Sequence, residues 1–339
     1  MSSVTRSTAT LEVPVARTPI DITLPDMTGS RAVVTGASDG IGRHIATRLA
    51  AAGAEVVLPV RNPDKGRTAL AAIEAAVPDA QVSLRTMDLS SLESVAALGA
   101  TLRAEDVPVG ILILNAGVMT PPERQTTLDG HELQFGTNHL GHVALVGQLH
   151  PLLVAGRARV VSQVSVAANQ GAVHYEDLDW ERSYDGMKAY SSSKIAFGLF
   201  GLELDRRSKA AGWGITSNLS HPGIAPTALL AARPEVGRSR DTLGRRLIRV
   251  MSARGILVGT VETAGLPALL AATDPAADGG RFFGPSGPRN LGGAPAEQPL
   301  YGRLADREQA ARIWDLSLWL TGMTGLGTPA AGRDIEAAS

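Results

Sequence analysis

"RAVVTGASDGIGR", residues 31–43, decides the fold. Its first half is apolar and rich in β-branched residues, as a buried strand requires. Gly36, Gly40 and Gly42 then fall where the strand passes into a helix, "GRHIATRLAAAG" (42–53), with Gly53 as its stop. Glycines at such a turn let the backbone approach a phosphate, and the helix N-terminus adds N–H donors and a favourable dipole. A glycine triplet alone marks only a turn. With a strand before it and a helix after it, the reading is a dinucleotide cradle in which Ser38, Asp39 and Ile41 fill the remaining places.

The same alternation continues outward. Strand-like runs at 55–60, 82–89, 110–117, 158–165 and 214–223 are separated by alanine-rich helical stretches. Apolar strands divided by helices imply a parallel sheet covered on both faces. The expected fold is therefore α/β, a doubly wound, Rossmann-like sheet in a single domain spanning 26–324. Residues 1–25 carry no long apolar run and read as a disordered leader, and 325–339 as a loose C-terminal tail.

Composition removes several alternatives. The 339-residue chain has a formal charge of −1, which disfavours nucleic-acid partners, and no cysteine, which removes disulfides and thiolate chemistry. No stretch approaches the ~20 apolar residues of a membrane span. A cytoplasmic location is expected. His139 and His142 sit three apart without an HExxH-like partner, so no metal site is assigned.

The residue after the second strand discriminates the cofactor's ribose. A carboxylate there would bind a free 2′-hydroxyl, whereas arginine suits a 2′-phosphate. Val60 is followed by Arg61, which favours NADP(H) over NAD(H), although Asp39 adds negative charge nearby.

From about Thr28 to Gly322 the chain resembles the short-chain dehydrogenase/reductase family. "TGASDGIG" is similar to its TGxxxGxG cofactor turn, "MDL" (87–89) to the segment whose Asp88 contacts adenine, and "LNAG" (114–117) to NNAG. "TNHLGH" (137–142) places Asn138, "VSQVS" places Ser165, and "AYSSSK" supplies Tyr190 and Lys194 as YxxxK. "HPG" (221–223) resembles the turn below the nicotinamide. The resemblance implies catalytic Asn138, Ser165, Tyr190 and Lys194. It implies cofactor contacts from Asp88, Leu89, Asn115, Ala116, Gly117, Tyr190, Lys194, Pro222 and Gly223 beside the glycine turn and Arg61. It also implies a homo-oligomer. Ser165 precedes Tyr190 by 25 positions, a span that holds an insertion, "VHYEDLDWERSYDGMK" (173–188), similar to that of the retinol dehydrogenase and protochlorophyllide reductase branch. "RFFGPSG" (281–287) and "ARIWDLSLWLTG" (311–322) are similar to bacterial members of that branch.

The chemistry follows from residue types. A tyrosine with pKa ~10 exchanges protons reluctantly near neutrality, and an ammonium one helical turn away should lower that value. Ser165 would hold a substrate oxygen against the phenol, and Asn138, by resemblance, would anchor a water linking Lys194 to solvent. The expected activity is NADP(H)-dependent interconversion of a carbonyl and an alcohol on a bulky, apolar small molecule. Reduction of a carbon–carbon double bond and a non-catalytic NADP-binding regulator are the alternatives. Segment 224–258 reads as the substrate lid, with seven arginines between Arg233 and Arg254 and an apolar face at Leu243, Leu247, Ile248 and Met251.

Overall fold

The computed structural model describes residues 20–226, 250–252, 258–326 and 328–329. The opening run forms β1 (Arg31–Val34), buried along its whole length. It lies between parallel neighbours β2 (Glu55–Val60) and β4 (Val109–Leu114). β3 (Val82–Thr86) pairs outside β2, β5 (Arg159–Gln163) outside β4, and β6 (Thr216–Ser220) outside β5. The order β3-β2-β1-β4-β5-β6 is a doubly wound sheet whose winding reverses between β1 and β4. At such a reversal a crevice opens beyond the strand ends.

Period-two alternation distributes the strands over two cores. Val33 and Val57 face one cluster, with Leu98, Leu145 and Phe197. Val34, Val56 and Leu58 face the other, with Ile45, Ile73 and Leu269. The first layer holds α3 (Leu92–Glu105), α5 (Gly141–Ala155) and α6 (Gly186–Ala211). A short α4 (Leu133–Phe135) and a π turn, Gly136–Leu140, lead into α5. The second layer holds α1 (Gly40–Ala51), α2 (Pro63–Ala76) and α7 (Val261–Thr273). A final helix, α8 (Arg307–Leu320), covers α6 and stacks Trp314 on Phe200 with ring centroids 5.0 Å apart.

Two strands extend the sheet beyond the expected six. β7 (Phe282–Pro285) pairs parallel to β6, and β8 (Pro295–Gln298) closes the edge antiparallel to β7. "FFGP" and "PAEQ" lack alternation, and their prolines sit at the last residue of β7 and the first of the edge strand β8, places that tolerate proline but that a sequence pattern does not reveal.

Both terminal boundaries need correction. Residues 20–25 are not loose: Ile22 and Leu24 pack on the second core, and Arg48 binds Asp21 at 2.5 Å and the Ile22 carbonyl at 2.5 Å. Apolar residues two apart anchor this short extended piece. At the other end, β9 (Met323–Gly325) pairs with β10 (Thr328–Pro329), so the tail begins with a ribbon. Of the expected lid, only 224–226, 250–252 and 258 fall among the described residues.

Candidate active site

Gly36 and Gly40 have φ of +68° and +54°, left-handed values that glycine adopts without strain. Gly42 is required for space: a Cβ there would lie 2.4 Å from the Gly36 carbonyl oxygen and 2.5 Å from Nδ2 of Asn115. A Cβ on Gly40 would meet nothing within 4 Å, so the turn is open on the side facing the crevice. Asp39 caps α1, its carboxylate accepting the Gly40 N–H at 2.7 Å. Thr35 ties this turn to the end of β4, its hydroxyl accepting the N–H groups of Asn115 and Ala116 at 2.9 and 3.0 Å.

The catalytic candidates come from the end of β5 and the first turns of α6. Ser165 follows β5 and caps a 3-10 turn, Val166–Asn169, accepting the Ala167 N–H at 3.2 Å. Asp185 caps α6, taking the N–H groups of Met187 and Lys188 at 3.0 Å each, which sets the phase of the turn carrying Tyr190. The insertion before it is pinned at Asp179, whose carboxylate accepts the Glu132 N–H at 2.8 Å while Arg124 reaches its carbonyl at 2.6 Å.

Burial pushes the Tyr190 phenol above its usual pKa, and the neighbouring Ser165 hydroxyl works in the opposite direction. Lys194 is buried as well, and burial pushes its ammonium down to about 7. Its Nζ donates to the Gln163 carbonyl at 2.9 Å and stands 5.4 Å from the Phe197 ring centre. The expected lowering of the Tyr190 phenol is therefore not seen: burial raises it, and burial also weakens the lysine's own hold on its proton.

A cleft of about 1110 Å³ runs across these strand ends. Gly36, Ser38, Asp39, Gly40, Ile41 and Gly42 line one end, with Arg61, Asp88 and Leu89 beside them. Asn115, Ala116 and Gly117 form the middle with Pro222 and Gly223, and Ser165, Tyr190 and Lys194 stand at the far end. Arg61 is exposed, and no ion pair engages its guanidinium among the described residues. Asp88 also binds the N–H and hydroxyl of Ser90 at 2.9 and 2.7 Å.

Asn138 is buried behind the wall and does not line the cleft. Its Oδ1 accepts the Val118 N–H at 2.8 Å, and its Nδ2 donates to the Val118 carbonyl at 2.9 Å and the Ser193 hydroxyl at 3.1 Å. The two histidines that could have suggested a metal are engaged elsewhere, His139 on Ser317 at 2.7 Å and His142 on Thr35 at 3.1 Å. Among the described residues, no three His, Asp or Glu side chains are grouped to hold a metal ion.

Sequence reasoning missed the cleft's outer wall. Met187 comes from the start of α6, Arg289, Asn290 and Leu291 from the loop after β7, and Tyr301 from beyond β8. Arg289 and Asn290 hold φ of +55° and +57°. The glycine-rich stretch "GPSGPRNLGG" signalled a turn there, but not its place beside Gly223, where the Leu291 carbonyl accepts the Ile224 N–H at 2.9 Å.

Residues 30–236 match the family model described as short chain dehydrogenase. The chain belongs to the short-chain dehydrogenase family. It is 36% identical to human retinol dehydrogenase 13 over 311 residues, covering 90% of this chain and 87% of that one, which places it in the retinol dehydrogenase-like branch. Among solved structures it is similar to an uncharacterized protein from Mycobacterium paratuberculosis, with 32% identity and a TM-score of 0.70 over 91% of this chain and 97% of that one. It is also similar to an NAD(P)-dependent gluconate 5-dehydrogenase from Beutenbergia cavernae with NADP bound at low occupancy. That likeness has 26% identity and a TM-score of 0.57, over 76% of this chain and 95% of that one. This short-chain dehydrogenase is thus an NAD(P)-dependent oxidoreductase acting between alcohol and carbonyl. No helix among the described residues is long and apolar enough to cross a membrane.

Proposed function

We propose that the protein is an NADP(H)-dependent enzyme that interconverts a carbonyl and an alcohol on a bulky, mostly apolar small molecule. Tyr190 serves as its proton donor and acceptor. The observation that carries the reading is that Ser165, Tyr190 and Lys194, the last two one helical turn apart, line the same cleft as the glycine turn.

The dinucleotide fits the residues present. The open face at Gly40 and the α1 N–H groups suit a pyrophosphate, and Arg61 suits a 2′-phosphate. When bound, the dinucleotide supplies or accepts the hydride. In reduction the Tyr190 hydroxyl gives its proton to the substrate oxygen, and in oxidation it takes the proton back. The Ser165 hydroxyl donates a hydrogen bond to that oxygen and holds it beside the phenol. Lys194, poised between charged and neutral near pH 7, can return a proton to the site. Val166, Ala167, Met187 and Leu291 give the substrate end an apolar lining, in keeping with a relative named for retinol. A cytoplasmic, homo-oligomeric enzyme completes this reading.

Alkene reduction is the second reading, but an alkene offers no oxygen for Ser165 to hold. A non-catalytic regulator would have no use for Ser165, Tyr190 and Lys194 together. The test is NADPH oxidation with ketones, aldehydes and enones, with products identified. Alcohols from carbonyls are expected. Saturation of the enone double bond alone would transfer the assignment to alkene reduction. Tight NADPH binding without turnover would support the regulator.

A further inference from the structure

The turn that suits a dinucleotide and the helix that carries Asn138 belong to different elements, and one buried side chain joins them. The Thr35 hydroxyl accepts two main-chain N–H groups, from Asn115 and Ala116, which occupies both lone pairs. Only its proton remains to be placed. Two acceptors are in reach, Nε2 of His142 at 3.1 Å and the Ile113 carbonyl at 3.4 Å. The shorter contact takes the proton, so Nε2 of His142 is the acceptor. In a neutral imidazole the other nitrogen then carries the hydrogen, and Nδ1 donates to the main-chain carbonyl of Asn138 at 3.0 Å.

The ring is neutral at any ordinary pH. Burial pushes His142 down to about 3, and the Lys194 charge acts in the same direction. The imidazole stacks on Phe197 with centroids 5.0 Å apart, on the ring that also lies beneath Lys194. Asn138 itself lies in the π turn before α5, a distortion often found at functional sites. Its side chain passes the position on to Val118, on the cleft wall, and to Ser193, whose hydroxyl donates to the Tyr190 carbonyl at 2.8 Å. An unbroken buried path therefore runs from Thr35, through His142 and Asn138, to the first turns of α6.

We propose that His142 is a positioning residue for proton transfer. As the Nδ1–H tautomer it fixes the Asn138 carbonyl and locks the π turn to the cofactor turn, so that Lys194 and Tyr190 keep their register with the dinucleotide. This inference rests on the reading of Tyr190 and Lys194 as the proton-transfer pair.

The test uses the full chain with His142→Phe, which keeps the stacking and removes both hydrogen bonds, and His142→Asn, which restores a donor near the Nδ1 position. Two readouts need no turnover: the imidazole ¹⁵N shifts of the wild type, which report the tautomer, and the Lys194 titration followed by its ¹³Cε resonance. The expected results are an Nδ1-protonated ring and a Lys194 titration that moves in the Phe variant and returns in the Asn variant. With an active substrate, kcat should fall about 10- to 100-fold in the Phe variant, with NADPH affinity little changed and partial recovery in the Asn variant. An Nε2-protonated wild-type ring would overturn the proposal, even if the Phe variant failed to fold. So would a Lys194 titration and pH–rate profile indifferent to both substitutions while only thermal stability fell. Absence of turnover in the wild type would count against the functional reading alone, because the two resonance measurements still decide this one.

Discussion

Lys194 donates its Nζ to the main-chain carbonyl of Gln163 at 2.9 Å, across the gap between α6 and the end of β5. That bond holds the buried ammonium against the end of β5, in the wall of the cleft. It also leaves a buried cation with one neutral acceptor beside an aromatic ring, and burial lowers its pKa from 10.5 to about 7. The consequences for stability and for chemistry can be tested separately.

The depressed Lys194 makes the unliganded protein more stable as pH rises. Between its folded value near 7 and its unfolded value of 10.5, the unfolded chain binds the extra proton, so unfolding becomes harder with increasing pH. Below pH 7 both states are protonated and the cost of burying the charge is constant. Denaturant titrations from pH 7 to 9 should give a slope approaching ~1.4 kcal/mol per pH unit from this group. Lys194→Met should remove that slope and be the more stable protein at pH 7. Parallel curves for the two proteins would show that the lysine is not desolvated.

Gly42→Ala should abolish dinucleotide binding and lower stability. The added methyl would sit 2.4 Å from the Gly36 carbonyl and 2.5 Å from Nδ2 of Asn115, so both the turn backbone and that side chain would have to give way. Unfolding of this variant is expected to shift by about 1–3 kcal/mol, the range for overpacking, with fluorescence showing no NADPH complex. A variant that binds NADPH normally would mean that the turn is not the phosphate cradle.

Arg61→Ala should separate the two cofactors. Charge-assisted hydrogen bonds contribute about 1.5–3 kcal/mol, so the NADPH dissociation constant should rise roughly 10- to 100-fold while that of NADH stays unchanged. The measurement is a pair of fluorescence titrations on each protein. Equal loss for both cofactors would place Arg61 on a shared phosphate, and no loss would remove it from the site.

The chain announced its cofactor half more fully than its substrate half, for a physical reason. The cradle is built from consecutive residues: Gly36, Gly40 and Gly42 share one strand–turn–helix unit, so their spacing alone describes it. Tyr190 and Lys194 share a helix face and were equally legible. Arg289, Leu291 and Tyr301 approach the cleft only because β7 pairs with β6 and β8 turns back along β7. Those strands carry no periodic signal. Nor could spacing show that burial would push the Tyr190 phenol up and the Lys194 ammonium down, because that depends on what surrounds both groups.

Proton movement by the Tyr190 hydroxyl is the step on which the proposed activity depends. It is tested by steady-state NADPH oxidation with a carbonyl substrate in wild type and Tyr190→Phe, with NADPH affinity measured in parallel. Removing a general acid should lower kcat by about 10²- to 10⁴-fold while the dissociation constant for NADPH stays close to that of the wild type. Equal turnover in the two proteins would contradict the account.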